Sequence, residues 1–310
     1  MTGQAVSRPR EDYAFELEPG LSRNGRQSVT ARFRKGRTKY LLGAVCVALC
    51  VVMIAPIVFS VLASVKPAAE AAAVPPTYLP SEVSLDSYQR LWSYGSGLPR
   101  YVGNSLMAAF LTIAMTLVLT VPAGYGLARF PIPGKELIFV LLLLALIIPY
   151  QALLTPIFLM FSTLGLTNSI VGLAIIHTMI QLPFSLYIMR NAFEAVPKEL
   201  EEAAFVDGAN SWQVLQRVFL PTMVPAIITV TLFAFVMSWN EFLGALVMLN
   251  NDASYTLPLI LAAARQVTSF GTTDWGMLQA GVTVAIVPCV IVYLLLQRYY
   301  ESGLLSGAIK

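Results

Sequence analysis

Charged side chains are scarce in this sequence of 310 residues: Asp, Glu, Lys and Arg make up 12% of it, whereas 57% of the residues are hydrophobic. A soluble domain carries about a quarter charged residues. The mean hydropathy of +0.70 agrees with this deficit. The composition therefore predicts a protein whose surface faces lipid.

Other scarcities exclude whole classes of site. The three cysteines, Cys46, Cys50 and Cys289, lie inside apolar runs, which predicts packing residues rather than a disulfide framework or metal site. His177 is the single histidine, which excludes a His-rich metal site. No Gly-x-x-x-x-Gly-Lys-Ser/Thr phosphate loop occurs, so the chain is not expected to hydrolyse ATP itself.

Apolar runs of about 20 residues, the length that a membrane-spanning helix needs, occur six times. The first is too long and begins too late for a signal peptide, so we expect a retained helix. The sequence therefore predicts an all-α integral membrane protein with six transmembrane helices. The runs are Leu41–Val65, Asn104–Leu127, Glu136–Phe161, Ser169–Asn191, Thr222–Leu249 and Gly276–Gln297.

The basic residues predict the orientation. Residues 1–39 form a polar tail without apolar periodicity, which predicts a disordered cytoplasmic segment ahead of a permease domain at 40–310, with its core at 100–298. Five basic residues between Arg32 and Lys39 favour an anchor at the anionic membrane surface over nucleic-acid binding. With both termini in the cytoplasm, sixteen Lys and Arg residues lie inside and four outside, which favours that orientation.

The loop between the fourth and fifth runs, residues 192–221, is the longest ordered-looking segment on the predicted cytoplasmic side, and we call it the knob. Pro197 suits the first position of a helix, and Gly208 is placed to end that helix. Asn210 with Gln213 resembles a capping pair that starts a second short helix. A compact knob of this kind predicts a membrane protein driven by a soluble partner.

The knob carries a specific motif. Glu202-Ala203-Ala204-Phe205-Val206-Asp207-Gly208, then nine residues, then Val218-Phe219-Leu220-Pro221 resembles the EAA loop of permease subunits of ATP-binding-cassette (ABC) importers. That family's pattern is Glu-Ala-Ala, three residues, Gly, nine residues, Ile-x-Leu-Pro, and Val218 replaces the Ile.

Further segments are similar to the carbohydrate branch of that family, and within it to the maltose-type second permease. The resemblance covers about Leu41 to Lys310, and Glu301 departs from the apolar residue usual in such C-terminal tails. The segments are Asn104-Ser105-Leu106, Ala128-Arg129-Phe130, Gly165-Leu166-Thr167-Asn168, Trp239-Asn240-Glu241-Phe242 and the tail from Ser302 to Lys310.

The resemblance implies a type I ABC importer transmembrane fold in a bacterial cytoplasmic (inner) membrane. It implies four partners besides membrane lipid: a second homologous permease, two ATPase subunits that hold ATP and Mg, and an extracytoplasmic sugar-binding protein. This chain would bind no cofactor itself. The residues implied in coupling to the ATPase are Glu202, Ala203, Ala204, Gly208 and Pro221, although Glu202 could instead be a solvated helix residue.

Polar side chains inside the apolar runs are candidates for a substrate path, because such groups tend to face the interior of a helix bundle. Gln151 and Gln181 fall near the midplane beside Tyr150, and they could bind sugar hydroxyls or hold helices together. Asn240 and Glu241 could brace an outer gate or contact substrate, and His177 suits a hydrogen-bonded interior residue better than a ligand. The candidates are Tyr150, Gln151, Gln181, Trp239, Asn240 and Glu241.

Two other classes of function compete with a permease driven by a separate ATPase. A self-contained secondary transporter or channel for a small polar solute would be expected to show several intramembrane charges or an inverted repeat. Glu241 is the one acidic residue well inside a run, and no repeat is visible. An intramembrane enzyme would need a catalytic constellation, such as Ser with His or paired Asp, that the runs lack.

Overall fold

A computed structural model describes residues 27–308 apart from residues 74, 76 and 266–272, with side chains for residues 39–298 outside those gaps. All regular elements in these described residues are helices. The chain divides after Pro56 into two compact units, and the second contains every element that follows the first helix.

The helices are numbered from the N-terminus. The first half contains α1 (Gln27–Ser64), α2 (Ala68–Ala71), α3 (Asp86–Ser93), α4 (Leu98–Arg129), α5 (Lys135–Leu144), α6 (Tyr150–Thr163) and α7 (Ile170–Ala195). The second half contains α8 (Lys198–Val206), α9 (Ser211–Val214), a π-helix (Leu215–Phe219), α10 (Leu220–Thr222), α11 (Val224–Asn240), α12 (Leu243–Met248), a 3₁₀-helix (Asp252–Ser254), α13 (Leu257–Ala264) and α14 (Trp275–Ala308).

The first helix begins earlier than the sequence predicts. α1 already includes residues 27–39, which the sequence predicts to be part of a disordered tail, while residues 1–26 of that tail lie outside the described part of the chain. The segment contains three Arg and two Lys, which favour helix, and it contains no proline to stop a helix that continues into the apolar run.

Four helices in the described residues are long and apolar enough to cross a membrane, and a fifth is counted if a pair bent by 77° forms one crossing. The predicted count of six is therefore not confirmed. The four are Lys39–Ser64, Leu98–Arg129, Ile170–Ala195 and Trp275–Arg298, and the bent pair is Ser211–Thr222 with Val224–Asn240.

The third predicted run is interrupted rather than continuous. α5 ends at Leu144 and α6 begins at Tyr150, so the sequence prediction of one helix over Glu136–Phe161 is wrong in that respect. Between them, the amides of residues 145–148 bond to carbonyls three residues back, and Pro149 follows with extended backbone. Proline offers no amide hydrogen and disfavours helix in the preceding residue, which favours a break at this position.

The fifth predicted run, Thr222–Leu249, is also divided. α11 ends at Asn240, Glu241 has extended backbone, and α12 begins at Leu243. The Glu241 carboxylate accepts hydrogen bonds from the amides of Gly244 and Ala245 in α12, so a side chain stabilises the break.

α4 packs along α7, and both helices contact α11. At Gly124 of α4 the approach is close, because a Cβ there would lie 3.0 Å from the Met189 Cβ and 3.2 Å from the backbone nitrogen of Arg190. Small residues at such crossings let helix backbones approach in a membrane. Gly126, two residues on, would place a Cβ 3.9 Å or more from its neighbours.

This difference predicts opposite effects of two alanines. We expect Gly124→Ala to destabilise the α4–α7 pair by about 1–3 kcal/mol, because an added methyl overpacks the contact. Gly126→Ala should be neutral or stabilise by up to about 1 kcal/mol through helix propensity. Thermal unfolding of the two variants in detergent measures both effects, and equal shifts would show that the close approach at Gly124 does not limit packing.

Candidate functional site

The knob contains the two short helices that the sequence predicts. Pro197 lies at the N-cap of α8, and Gly208 has φ +84° just after its end. The Ala209 amide bonds to the Ala204 carbonyl and the Gly208 amide to the Phe205 carbonyl, each at 3.0 Å. This pair of bonds is the Schellman motif, which requires a residue in left-handed conformation, so the predicted role of Gly208 as helix terminator is confirmed.

The second helix of the knob also begins as predicted. Asn210 Oδ1 accepts from the Gln213 amide, and Gln213 Oε1 accepts from the Asn210 amide, both at 2.9 Å. After α9 the hydrogen-bond register shifts to a π-helix over Leu215–Phe219, and Pro221 then lies in the three-residue α10. No motif in the sequence predicts the π-helix.

The outer surface of the knob exposes apolar side chains of several sizes beside charged ones. Glu202 and Ala203 are exposed, whereas Ala204 is half-buried against the cluster of buried residues beneath α8. Val206 is 87% exposed and Trp212 is 61% exposed. Large apolar side chains in water suggest a surface that another protein covers.

Beneath the knob, Arg129 at the end of α4 joins several elements. Its side chain is 4% exposed, and its Nη2 donates to the carbonyls of Phe193, at 2.6 Å, and Val196 at the end of α7. Its Nε lies 3.6 Å from Oε2 of Glu201 on α8. Its guanidinium lies 5.0 Å from the ring centroid of Phe219 in the π-helix. One buried cation therefore contacts α7, α8 and the π-helix.

Tyr125, one turn before Arg129, binds the same carboxylate. Its hydroxyl donates to Glu201 Oε1 at 3.2 Å, and its ring packs against Phe193 and Phe219 at 5.5 and 5.2 Å between centroids. Glu201 is thus held by two side chains of α4.

A cleft of about 420 Å³ opens between the end of α4 and α8. Its walls combine cations and carboxylates with apolar side chains. They are formed by Ala128, Arg129, Phe130, Pro131, Lys135, Lys198, Glu201, Glu202 and Phe205.

A second polar cluster lies inside the helix bundle, around Glu241. Tyr150 donates a hydrogen bond to Glu241 Oε1, and His177 Nε2 lies 3.2 Å from Glu241 Oε2. The other ring nitrogen, Nδ1, lies 2.8 Å from Ser238 Oγ. The cluster therefore joins the start of α6, the middle of α7 and the end of α11.

Glu241 also caps α12. Its carboxylate accepts from the amides of Gly244, at 2.7 Å, and Ala245, at 3.2 Å. With Tyr150 and His177 this makes four contacts on a side chain that is 7% exposed. A carboxylate so occupied fixes both helix breaks to each other, and His177 is a hydrogen-bonded interior residue as the sequence favours.

The structure brings together two of the six predicted substrate-path residues, Tyr150 and Glu241. Gln181 is buried and bonds instead to Ser185 of its own helix at 3.3 Å, and Gln151 is exposed. Trp239 is 1% exposed in a hydrophobic core, where its Nε1 donates to the Ala285 carbonyl at 3.0 Å.

Asn240 completes the set. It is exposed, and its amide donates to the Val236 carbonyl one turn earlier. In the part of the chain that the structure describes, the six residues therefore do not form one continuous polar surface. The sequence missed the pairing of Arg129 with Glu201, although the segment Ala128-Arg129-Phe130 marked that end of the helix.

A family model described as binding-protein-dependent transport system inner membrane component matches residues 120–306. The matched range contains the knob, Arg129 and the Glu241 cluster.

Two curated proteins extend the similarity over most of the chain. The diacetylchitobiose uptake system permease protein DasC of Streptomyces coelicolor is 30% identical over 264 residues, which cover 85% of this chain and 94% of the relative. The arabinooligosaccharides transport system permease protein AraQ of Halalkalibacterium halodurans is 31% identical over 257 residues, covering 82% and 90%.

One solved structure shares the fold. A chain of a bacterial ABC transporter involved in the import of the acidic polysaccharide alginate superposes with a TM-score of 0.75 at 24% identity, covering 91% of this chain and all of that one. The likeness shows that the two chains share a fold.

Proposed function

The chain belongs to the family of binding-protein-dependent transport system inner membrane components, and from that membership we propose that it is a permease subunit that imports a sugar or sugar derivative. The proposed substrate class rests on the relatives, which are named for uptake of diacetylchitobiose and of arabinooligosaccharides.

We propose that separate ATPase subunits bind ATP and Mg and drive this chain through the knob. The observation that carries the proposal is the shape of the knob: a Schellman turn at Gly208 presents exposed Glu202, Ala203 and Val206 on a short helix. Small and apolar side chains there suit insertion into a cleft of another protein. The chain itself has no phosphate loop for ATP.

The remaining partners and the topology belong to the same proposal. A second homologous permease completes the pathway, and an extracytoplasmic binding protein delivers the sugar. Both termini lie in the cytoplasm, because the Lys and Arg residues then concentrate inside. α5 and α6 together form one interrupted crossing, which raises the five candidate crossings to six. Interrupted helices are tolerated in membranes where neighbouring protein satisfies the freed backbone groups.

One observation favours a second candidate function. Glu241 and His177 form an ionisable pair inside the bundle, and such pairs occur in proton-coupled transporters. Glu241 makes four contacts, and two of them are hydrogen bonds from amides at the start of α12. These contacts favour a structural role for Glu241 within the permease over a role in proton transfer.

Uptake into proteoliposomes tests the proposal. The chain is reconstituted with its candidate second permease, with or without the ATPase, and labelled diacetylchitobiose and arabinooligosaccharides are supplied with the binding protein. We expect uptake only with ATPase and ATP, and background levels when ADP replaces ATP. Uptake by the chain without ATPase, abolished by dissipating a proton gradient, would instead support the secondary-transporter function.

A further inference from the structure

Two adjacent carboxylates of α8 have opposite environments. Glu202 is exposed, whereas the Glu201 side chain is 13% exposed and contacts Tyr125 and Arg129 of α4. The EAA motif begins at Glu202, so Glu201 lies just outside the residues that the resemblance assigns. Its side chain therefore contacts the membrane helix α4.

We propose that Arg129 and Glu201 are positioning residues that transmit movement of the knob to α4 and α7. This inference rests on the proposed function, because it requires an ATPase that moves the knob. The inference names the route by which such movement enters the membrane domain. The movement passes from α8 through the Glu201 carboxylate to the buried Arg129 guanidinium, and from there to the end of α7.

The contact has room to change. Arg129 Nε is buried and has no hydrogen-bond partner, while Glu201 Oε2 lies 3.6 Å away. Charge-assisted N–H···O bonds are about 2.7–2.9 Å long, so a shift of α8 by less than about 1 Å would complete one. The strength of the interaction between Arg129 and Glu201 therefore depends on the position of α8. A residue pair that couples two conformational states must interact differently in the two states.

Arg129 is tied more firmly on its other side. Its Nη2 holds the carbonyls of Phe193 and Val196, which lie where α7 ends and the knob begins. Because a guanidinium is planar and rigid, displacement at Nε moves Nη2 with it. A push on Glu201 thus reaches α4 and the C-terminal end of α7 together.

The π-helix offers a place for the movement to be absorbed. Phe219 ends it, packs on Tyr125 and lies under the Arg129 guanidinium at 5.0 Å. Single-turn π-helices occur often at functional sites and are less regular than α-helices. Just beyond Phe219 the chain bends by 77° into α11, so the same cluster joins the knob to a further membrane helix.

The substitution that isolates the link is Glu201→Gln, with Glu199→Gln as its matched control. Glu199 lies on the same helix but is exposed. In the reconstituted transporter we measure copurification of the ATPase, thermal stability, and sugar molecules moved per ATP hydrolysed. Glu201→Gln should keep the ATPase bound yet lower the transport ratio about fivefold or more, while Glu199→Gln matches wild type.

Two further variants separate a link from a fold defect. Arg129→Lys keeps the charge but loses the fork that reaches the α7 carbonyls, so it should fold and also lower the transport ratio. Adding Tyr125→Phe to Glu201→Gln should lower the ratio little further, since both act on one carboxylate.

The experiment distinguishes failure of the link between Arg129 and Glu201 from failure of the proposed function. A wild-type transport ratio in Glu201→Gln would overturn the link, and so would loss of ATPase binding by that variant, which would place Glu201 in the interface. Failure of the wild-type chain to bind any ATPase would instead refute the proposed function.

Discussion

Replacing Gly208 by valine is expected to weaken binding of the ATPase about fivefold to thirtyfold while the permease stays folded in the membrane. Gly208 adopts φ +84° with open space around it, so the substitution creates strain rather than a clash within the chain. Left-handed backbone costs a side-chain-bearing residue about 1–2 kcal/mol, and more for a β-branched one. The turn between α8 and α9 relaxes away from the bound shape, and copurification of the ATPase with the permease measures the loss.

Two variants make this result specific. Gly134 also has positive φ, +74°, in open space before α5, so Gly134→Val carries the same backbone strain outside the knob and should retain the ATPase. Gly208→Asn should bind nearly as wild type does, because asparagine tolerates left-handed backbone. If Gly134→Val lost the ATPase equally, or Gly208→Val kept it, the turn of the knob would not be the docking element.

The knob was predictable from sequence because its signals are local. Gly208 ends one helix and Asn210 with Gln213 begins the next, and each motif is complete within six residues. The pairing of Arg129 with Glu201 joins positions 72 apart, so it depends on how α4 packs against α8. Periodicity and capping motifs contain no information on such a contact.

The helix breaks were harder to predict for a different reason. Hydropathy counts apolar residues, and the run over Glu136–Phe161 is apolar on both sides of its interruption. Proline does not settle the matter: Pro122, Pro156 and Pro183 lie inside continuous helices, whereas Pro149 follows a break. A helix break persists where neighbouring helices offer hydrogen-bond partners to the backbone carbonyls that lose their own. Tertiary packing determines where such partners are present.

The Glu241 cluster shows why both breaks persist. Tyr150 begins α6 just after one break, and Glu241 occupies the other, so a single hydrogen bond joins them. His177 of α7 holds the second carboxylate oxygen. The polar residues that the sequence singled out for a substrate path are thus partly engaged in holding interrupted helices in place.

Replacing Glu241 by alanine is therefore expected to be the most destabilising substitution in the bundle, by about 3 kcal/mol. It leaves the Tyr150 hydroxyl, the His177 ring and two amides of α12 without their acceptor in a buried site. Tyr150→Phe removes one donor and leaves the carboxylate its other three contacts, so about 1 kcal/mol should be lost. Thermal unfolding in detergent measures both, and 3 kcal/mol corresponds to a fall in Tm of about 6 °C or more.

Asn240→Ala is the matched control, because Asn240 adjoins Glu241 in sequence but is exposed and donates to the Val236 carbonyl rather than to the Glu241 cluster. Its free energy of unfolding should stay within about 0.5 kcal/mol of the wild-type value. The loss of stability in Glu241→Gln should lie between those of Glu241→Ala and Asn240→Ala. The glutamine carbonyl oxygen can still accept hydrogen bonds, but its NH2 group would face other hydrogen-bond donors. If the Tm of Glu241→Ala were no lower than that of Asn240→Ala, the carboxylate would not hold the two helix breaks together. Contact with substrate would then be the favoured role of Glu241.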